Sequence, residues 1–165
     1  MSSRKVLTLT LVRNSVGDIL LGLKKRGFGE GKWNGFGGKV EPGESILQGA
    51  ARELTEECGL KAHSLTKVGL LDFDFIDDPM RLEVHVFCTS DYSGTVIETE
   101  EMKPKWYKVE DIPFHEMWLD DPIWFSWYLK GGPQFKGYFL YKGLDKIVEQ
   151  EVKSTDVPRE TTSCT

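Results

Sequence analysis

Gly38-Lys39-Val40-Glu41-Pro42-Gly43-Glu44-Ser45-Ile46-Leu47-Gln48-Gly49-Ala50-Ala51-Arg52-Glu53-Leu54-Thr55-Glu56-Glu57-Cys58-Gly59-Leu60 is the stretch on which the reading of this chain turns. Leu47, Ala50, Ala51, Leu54 and Cys58 recur at helical spacing, and Gly59 follows where a helix stop is expected. The pattern therefore predicts a helix over 45–58 with one buried face. Glu53, Glu56 and Glu57 stand at i, i+3 and i+4 on a neighbouring face, where like charges repel by roughly a few tenths of a kcal/mol per pair unless a cation intervenes. An acidic helix face is ordinarily solvated surface. Here the context points elsewhere, because clustered carboxylates suit hard divalent cations such as Mg2+, with Mn2+ the alternative, held between protein and phosphate.

That context is the glycine-rich run just before the helix, Gly27-Phe28-Gly29-Glu30-Gly31-Lys32-Trp33-Asn34-Gly35-Phe36-Gly37-Gly38-Lys39. Glycine lets backbone groups approach phosphate and metal closely, while Phe28, Trp33 and Phe36 argue for a packed loop rather than a linker. A Walker A loop is excluded, since neither Gly31-Lys32 nor Gly38-Lys39 has the required upstream glycine or following Ser/Thr. Lys24, Lys25, Arg26, Lys32 and Lys39 surround the run, and one or two of them are expected to meet phosphate.

Written as a pattern, the stretch is G-x5-E-x7-R-E-U-x-E-E-x-G-U with U aliphatic, and every fixed position is matched. It resembles the Nudix box of hydrolases that act on nucleoside diphosphates linked to another moiety. The resemblance implies an α/β fold, a mixed β-sheet sandwiched between α-helices. It also implies metal-assisted attack of water on phosphorus, with Glu53, Glu56 and Glu57 as catalytic and metal-binding acids and the Gly37 carbonyl and Glu101 as further ligands. Either Glu53 or Glu56 would activate the water. Arg52 and Glu44 are expected to form an ion pair that ties loop to helix.

Composition agrees with one compact domain: 165 residues, 39% hydrophobic and 28% charged. The net charge of −5 is a poor match to stable nucleic-acid binding, which rests on basic surfaces. Cys58, Cys88 and Cys164 have no metal-type spacing and read as reduced thiols, and His63, His85 and His115 are scattered, so zinc is not indicated. With no signal-peptide-like or membrane-length apolar segment, the expected address is cytoplasmic, and the expected state a monomer away from membranes.

Along the chain, Lys5 to Val12 reads as a strand pairing with Ile19 to Lys24. Thr66 to Ile76 and Arg81 to Thr89 are strand-like about a break at Asp77-Asp78-Pro79, and Pro104 to Val109 gives another strand. Asp121 to Leu129 is expected to be a second helix, and 135–141 with 146–152 a closing hairpin. The domain is expected to span 1–153, with the small, polar run 154–165 a disordered tail.

Thr8, Lys24, Trp33 to Lys39, Phe73-Asp74-Phe75, Val84 to Thr89, Ile112-Pro113-Phe114 and Met117 to Asp121 extend the resemblance to the MutT-homologue branch of that family, the animal hydrolases of oxidized purine nucleoside triphosphates. It covers nearly the whole chain. The resemblance implies hydrolysis of 8-oxo-dGTP and 2-hydroxy-dATP to monophosphate and pyrophosphate, with O6-methyl-dGTP and N6-methyl-dATP as further modified purines. Nuclear and mitochondrial pools beside the cytoplasmic one would follow. Substrate contacts are expected from Thr8, Lys24, Asn34, Phe36, Gly37, Gly38, Lys39, Phe73, Trp118, Leu119, Asp120 and Asp121, with Leu82 at a pocket position and Trp124 a further candidate. Trp33, Phe75, Phe87 and Trp127 are assigned to packing. Two adjacent aspartates in an apolar pocket should not both ionise freely, so one carboxyl can donate and the other accept. The competing role for Asp120-Asp121 is a helix cap before Pro122. A Nudix enzyme acting on ADP-ribose, dinucleoside polyphosphates or capped RNA is the alternative function; a silent nucleotide- or RNA-binding module would have lost a box glutamate or gained a basic surface.

Overall fold

The alternation of Leu7, Leu9 and Leu11 with Thr8 and Thr10 marks a strand, and both of its faces are covered: Leu9, Leu11, Thr8 and Thr10 are all buried. That places it inside a sheet with helices on either side. The computed structural model describes residues 3–165; Met1 and Ser2, counted into the expected domain, lie outside the described residues. In chain order the elements are β1 (Ser3–Arg13), β2 (Ile19–Lys24), β3 (Trp33–Asn34), α1 (Ile46–Cys58), β4 (Lys61–Ala62), β5 (Ser64–Phe75), β6 (Asp78–Thr89), β7 (Tyr92–Ser93), β8 (Met102–Tyr107), α2 (Asp121–Lys130), β9 (Phe135–Lys142), β10 (Lys146–Ser154) and β11 (Glu160–Ser163).

The main sheet runs β10-β9-β5-β6-β1-β2-β3, with β8 added beside β2 and β11 beside β5. It is mixed: β1 lies parallel to β6 with Leu7 opposite Val84, and β5 parallel to β9 with Phe73 opposite Phe139, whereas β5 and β6 form an antiparallel hairpin. One face packs Leu9, Leu11, Leu71, Val86 and Phe139 against Trp124, Phe125 and Tyr128 of α2. The other packs Val12, Phe36 and Phe87 against Ala50, Leu54 and Cys58 of α1. The sheet is thus sandwiched between helices, as the α/β expectation required.

Two expectations about the chain's punctuation are corrected. The β5–β6 turn is tighter than Asp77-Asp78-Pro79: Phe75 pairs with Asp78, Asp77 takes a left-handed φ of 67°, and Asp78 and Pro79 already belong to β6. The stretch expected to be a disordered tail is ordered. Thr155 N–H donates to the Gln134 carbonyl at 2.9 Å, the Arg159 guanidinium reaches the Trp127 and Tyr128 carbonyls at the end of α2 at 2.9 and 3.0 Å, and β11 pairs Thr161 with Thr66. β9 contacts β5 only from Gly69 onward, which leaves the Ser64–Lys67 edge open for β11 to cover. Every side chain of β11 is exposed, so composition carried no sign of it; the gain is in backbone pairing. No helix among the described residues is long and apolar enough to cross a membrane.

Candidate active site

The acidic helix is fixed at both ends by local chemistry. Ser45 caps it reciprocally with Gln48: the Gln48 N–H donates to Ser45 Oγ at 3.1 Å, and the Ser45 N–H to Gln48 Oε1 at 2.8 Å. Gly59 ends it at φ 83°, its N–H donating to the Thr55 carbonyl; a Cβ there would also stand 2.9 Å from the Thr95 carbonyl oxygen. The buried stripe is Gly49, Ala50, Leu54, Glu57 and Cys58, so Glu57 lies within the inward face rather than beside it.

Glu57 Oε1 accepts the Gly37 N–H at 2.9 Å, and Oε2 stands 4.0 Å from Lys24 Nζ. Burial, with the charges of Glu53 and Glu101 adding to it, pushes this carboxyl up to about 7 against the opposing Gly37 bond and Lys24. Glu53 is also shifted upward by burial, with Arg52 opposing. It lies directly against the glycine turn: a Cβ on Gly38 would meet its carboxyl carbon at 2.7 Å. A Cβ on Gly37 would lie 1.8 Å from the Thr8 carbonyl oxygen, so only glycine allows this loop to run along β1 while pointing its N–H at Glu57. Glu101, from the loop before β8, is paired with Lys24 at 3.1 Å and with Arg26 at 2.7 Å, which hold its carboxyl low. Glu56 is more than half exposed. Among the described residues no three acids, histidines or cysteines close into a ligating cluster. The carboxylates instead face Lys24, Arg26 and Arg52.

Arg52 makes the expected pair with Glu44, Nε to Oε2 and Nη2 to Oε1 both at 2.8 Å, and its partner's carboxyl falls to about 2 through that contact and the Glu41 N–H. It also donates to the Lys39 carbonyl at 3.1 Å, to Glu53 at 3.0 Å and to Glu56 at 3.1 Å. One guanidinium therefore ties loop, helix and two of the candidate acids together.

A cavity of about 280 Å3 adjoins this cluster and is lined by Glu57, Gly37, Gly38 and Lys24 together with Thr8, Asn34, Phe73, Trp118, Asp120 and Asp121. Its polar wall is unusual. Both aspartates are buried, and Trp124 Nε1–H is shared between Asp120 Oδ2 at 2.9 Å and Asp121 Oδ1 at 3.2 Å. Tyr141 OH donates to Asp120 Oδ1 at 2.5 Å, and the Trp118 N–H donates to Asp121 Oδ2 at 3.1 Å. Burial raises both carboxyls; Asp121, wholly enclosed beside another acid, is raised the more. Neither side chain caps α2: Asp120 at the cap position has helical backbone angles and makes no capping bond, and Asp121 turns back to Trp118. The pair faces the cavity.

The family model described as the NUDIX domain matches residues 3–128. The chain belongs to the Nudix family. It is 47% identical over 156 residues to the oxidized purine nucleoside triphosphate hydrolase of Danio rerio, covering 94% of this chain and 99% of that protein. The protein of the same name from Mus musculus is 44% identical over the same span and the same shares. Among solved structures, a MutT protein of Bacillus halodurans superposes with a TM-score of 0.81 at 24% identity, covering 90% of this chain and 97% of that one, a likeness of fold.

Within this Nudix domain most of the expected substrate contacts converge on the cavity, but three do not. Phe36 is fully buried in the α1 cluster, its backbone bonded both ways to Thr10; its aromatic side chain fills the core. Lys39 and Leu119 are exposed and leave the cavity lining to their neighbours. Phe75, assigned to packing, lines the cavity, as does Leu82. Trp33, by contrast, packs edge-on against Tyr107. The sequence reading assigned neither Phe28 nor Tyr141 to the wall and offered Lys32 only as one of five cations around the glycine run. Phe28 stacks on Trp118 at 5.1 Å, Lys32 Nζ lies 5.1 Å over the same ring, and Tyr141 holds Asp120. The alternation Phe135, Gly137, Phe139, Tyr141 was the available signal for Tyr141, since it puts that ring on the inward face of β9. Thr8 Oγ1 is buried in the lining and has no hydrogen-bond partner among the described residues.

Proposed function

We propose that this protein hydrolyses oxidized purine nucleoside triphosphates, 8-oxo-dGTP and 2-hydroxy-dATP with their ribo counterparts, to monophosphate and pyrophosphate, and so clears them from the nucleotide pool. The observation that carries this reading is that Glu57 and the Asp120–Asp121 pair line one cavity, so that phosphates and base can be addressed at once. The Danio rerio and Mus musculus relatives are named as hydrolases of oxidized purine nucleoside triphosphates.

The acids fit a divalent cation. Glu57 is buried, crowded by Glu53 and Glu101 and pushed toward neutrality, the condition a bound cation relieves. Glu53, Glu56, Glu57, Glu101 and the Gly37 carbonyl would hold Mg2+, or Mn2+ in its place. When bound, the cation would neutralise charge on the phosphate oxygens and so favour attack by water on phosphorus. Lys24, between Glu57 and Glu101, is a cation of the lining placed to meet a phosphate. Glu53, enclosed against Gly38, is better placed than the exposed Glu56 to take a proton from water. At the base, Thr8, Asn34 and the aspartates supply hydrogen-bonding groups and Phe73 and Trp118 apolar walls. A buried base edge left unmet would cost about 1–3 kcal/mol, which is how the pocket selects.

Steady-state assays on a nucleotide panel test this. With Mg2+, 8-oxo-dGTP and 2-hydroxy-dATP should be hydrolysed, with O6-methyl-dGTP and N6-methyl-dATP as further substrates, and chelation should abolish turnover. Preference for ADP-ribose, a dinucleoside polyphosphate or capped RNA would overturn the substrate class. Orthophosphate and a diphosphate as primary products would overturn the reaction.

A further inference from the structure

Tyr141 ends the inward row of β9, and where Phe135 and Phe139 offer only apolar surface it brings a hydroxyl to the aspartate pair. The residue is 2% exposed. Its bond to Asp120 runs in both directions: the phenol donates to Oδ1 at 2.5 Å and accepts the Asp120 backbone N–H at 3.2 Å. The other carboxylate oxygen accepts Trp124 Nε1–H at 2.9 Å. Asp120 therefore receives a donor on each oxygen. Asp121 is also met on both oxygens but at longer range, by the Trp118 N–H on Oδ2 at 3.1 Å and the shared Trp124 Nε1–H on Oδ1 at 3.2 Å. The remaining charged side chains in the lining are Lys24, Lys32 and Glu57, none of which hydrogen-bonds the pair among the described residues.

We propose that Tyr141 is a positioning residue for base specificity: its two-way bond fixes Asp120 as the acceptor toward a purine edge and leaves Asp121 as the donor. The inference rests on the reading of this cavity as an oxidized-purine site. The two purines differ in what they present. The edge of 8-oxoguanine carries a carbonyl acceptor at C6 and donors at N1 and the 2-amino group. The keto form of 2-hydroxyadenine carries a donor at the 6-amino group and N1 and an acceptor at C2. The order of donors and acceptors is reversed. A pair with fixed roles matches one order in a given orientation, and the other order requires the two carboxyls to exchange the proton. Tyr141 opposes that exchange, because a proton on Asp120 Oδ1 would face the phenol's own hydrogen. Without the hydroxyl, Asp120 keeps one strong donor and its role relaxes.

The test is Tyr141→Phe, which keeps the ring and removes the donor. The ratio of kcat/KM for 8-oxo-dGTP to that for 2-hydroxy-dATP should move by about 5-fold or more toward the substrate the wild type handles less well. The pH at which the ratio changes should rise, because Asp120 loses a bond that favours its charged form. Affinities of the two monophosphates, titrated without metal, should shift in the same ratio; this readout is independent of turnover. A purely structural role would lower Tm and depress both substrates together. Folded Tyr141→Phe with an unchanged ratio at every pH, in both assays, overturns the inference. Wild-type protein that binds neither monophosphate overturns the reading of the cavity instead, so the two failures are distinguishable.

Discussion

Glu57 is a carboxylate buried beside two others, with a single backbone N–H and a lysine 4.0 Å away for compensation. Its folded-state pKa lies above the ordinary carboxylate value, so in metal-free protein the native state binds more protons than the unfolded one between that value and about 7. Stability attributable to Glu57 is then greatest below the unfolded pKa and is lost as pH rises to about 7, by about 3 kcal/mol at most. Glu57→Gln should flatten that part of the profile, read as the difference in Tm between wild type and variant across pH. With Mg2+ present the same substitution should lower kcat by about 10^2-fold or more while 8-oxo-dGMP still binds, because one charge is removed from the proposed ligand set of the cation and none from the proposed base pocket. Near wild-type turnover under saturating Mg2+ would mean the acidic face is not the metal site. Asp120→Asn addresses the other end of the cavity. An amide brings an NH2 donor where the structure holds a carboxylate acceptor and does not titrate, so the ratio of 8-oxo-dGTP to 2-hydroxy-dATP hydrolysis and its pH dependence should change, whereas Asp120→Ala should cost roughly 5-fold to 150-fold in kcat/KM. Since Asp120 makes no capping bond to α2, a variant whose only defect is lower Tm would contradict the geometry.

Among the elements, α1 shows how local rules deliver an acidic face. The capping box, the left-handed Gly59 and the apolar stripe fix where the helix begins, ends and turns, and the acids follow from its rotation. The Gly37–Gly38 turn, held to β1 by Thr8 N–H to the Gly38 carbonyl at 2.9 Å, completes the site. The chain's last segment acts on the opposite side. Arg159 closes the carbonyl end of α2, whose other end carries Asp121, and β11 seals the edge of β5. Removal of 155–165 should lower stability by about 1–3 kcal/mol, since charge-assisted bonds and an edge pairing are lost with little apolar burial. Hydrogen exchange should quicken along Ser64–Lys67 and at the end of α2. Unchanged exchange there would show that the segment contributes nothing to either element. The existence of α1 and α2 and of the long strands was legible from period and punctuation. β11 was not, because its side chains are all polar and exposed and its only signal is an open edge elsewhere in the sheet.

For the whole molecule, the mixed sheet places α1 and α2 on opposite faces, and the cavity draws on both layers: Glu57 from one, Asp120 and Asp121 from the other, with Thr8 and Leu9 of β1 between. A divalent cation that binds only the folded arrangement stabilises it by mass action, so Tm should rise with Mg2+ concentration, and the rise should vanish in Glu57→Gln. An Mg2+-independent Tm would argue against a preformed metal site. Much of this was determined by the sequence alone. The run from Gly38 to Leu60 specified a capped amphipathic helix with three acids behind a glycine turn, because helical period and capping are local properties of consecutive residues. Arg52 and Glu44 were legible as a pair from their fixed places in the Nudix box. What tertiary structure decided were the contacts between residues far apart in the chain: that Glu57 points inward to Gly37, that Phe36 serves the core and not the cavity, that Asp120 and Asp121 face the pocket instead of capping α2, and that Tyr141 binds Asp120 across 21 residues of chain. Periodicity tells which way a side chain points from its own element; which groups it meets there depends on how separate elements pack, and only the folded sheet fixes that.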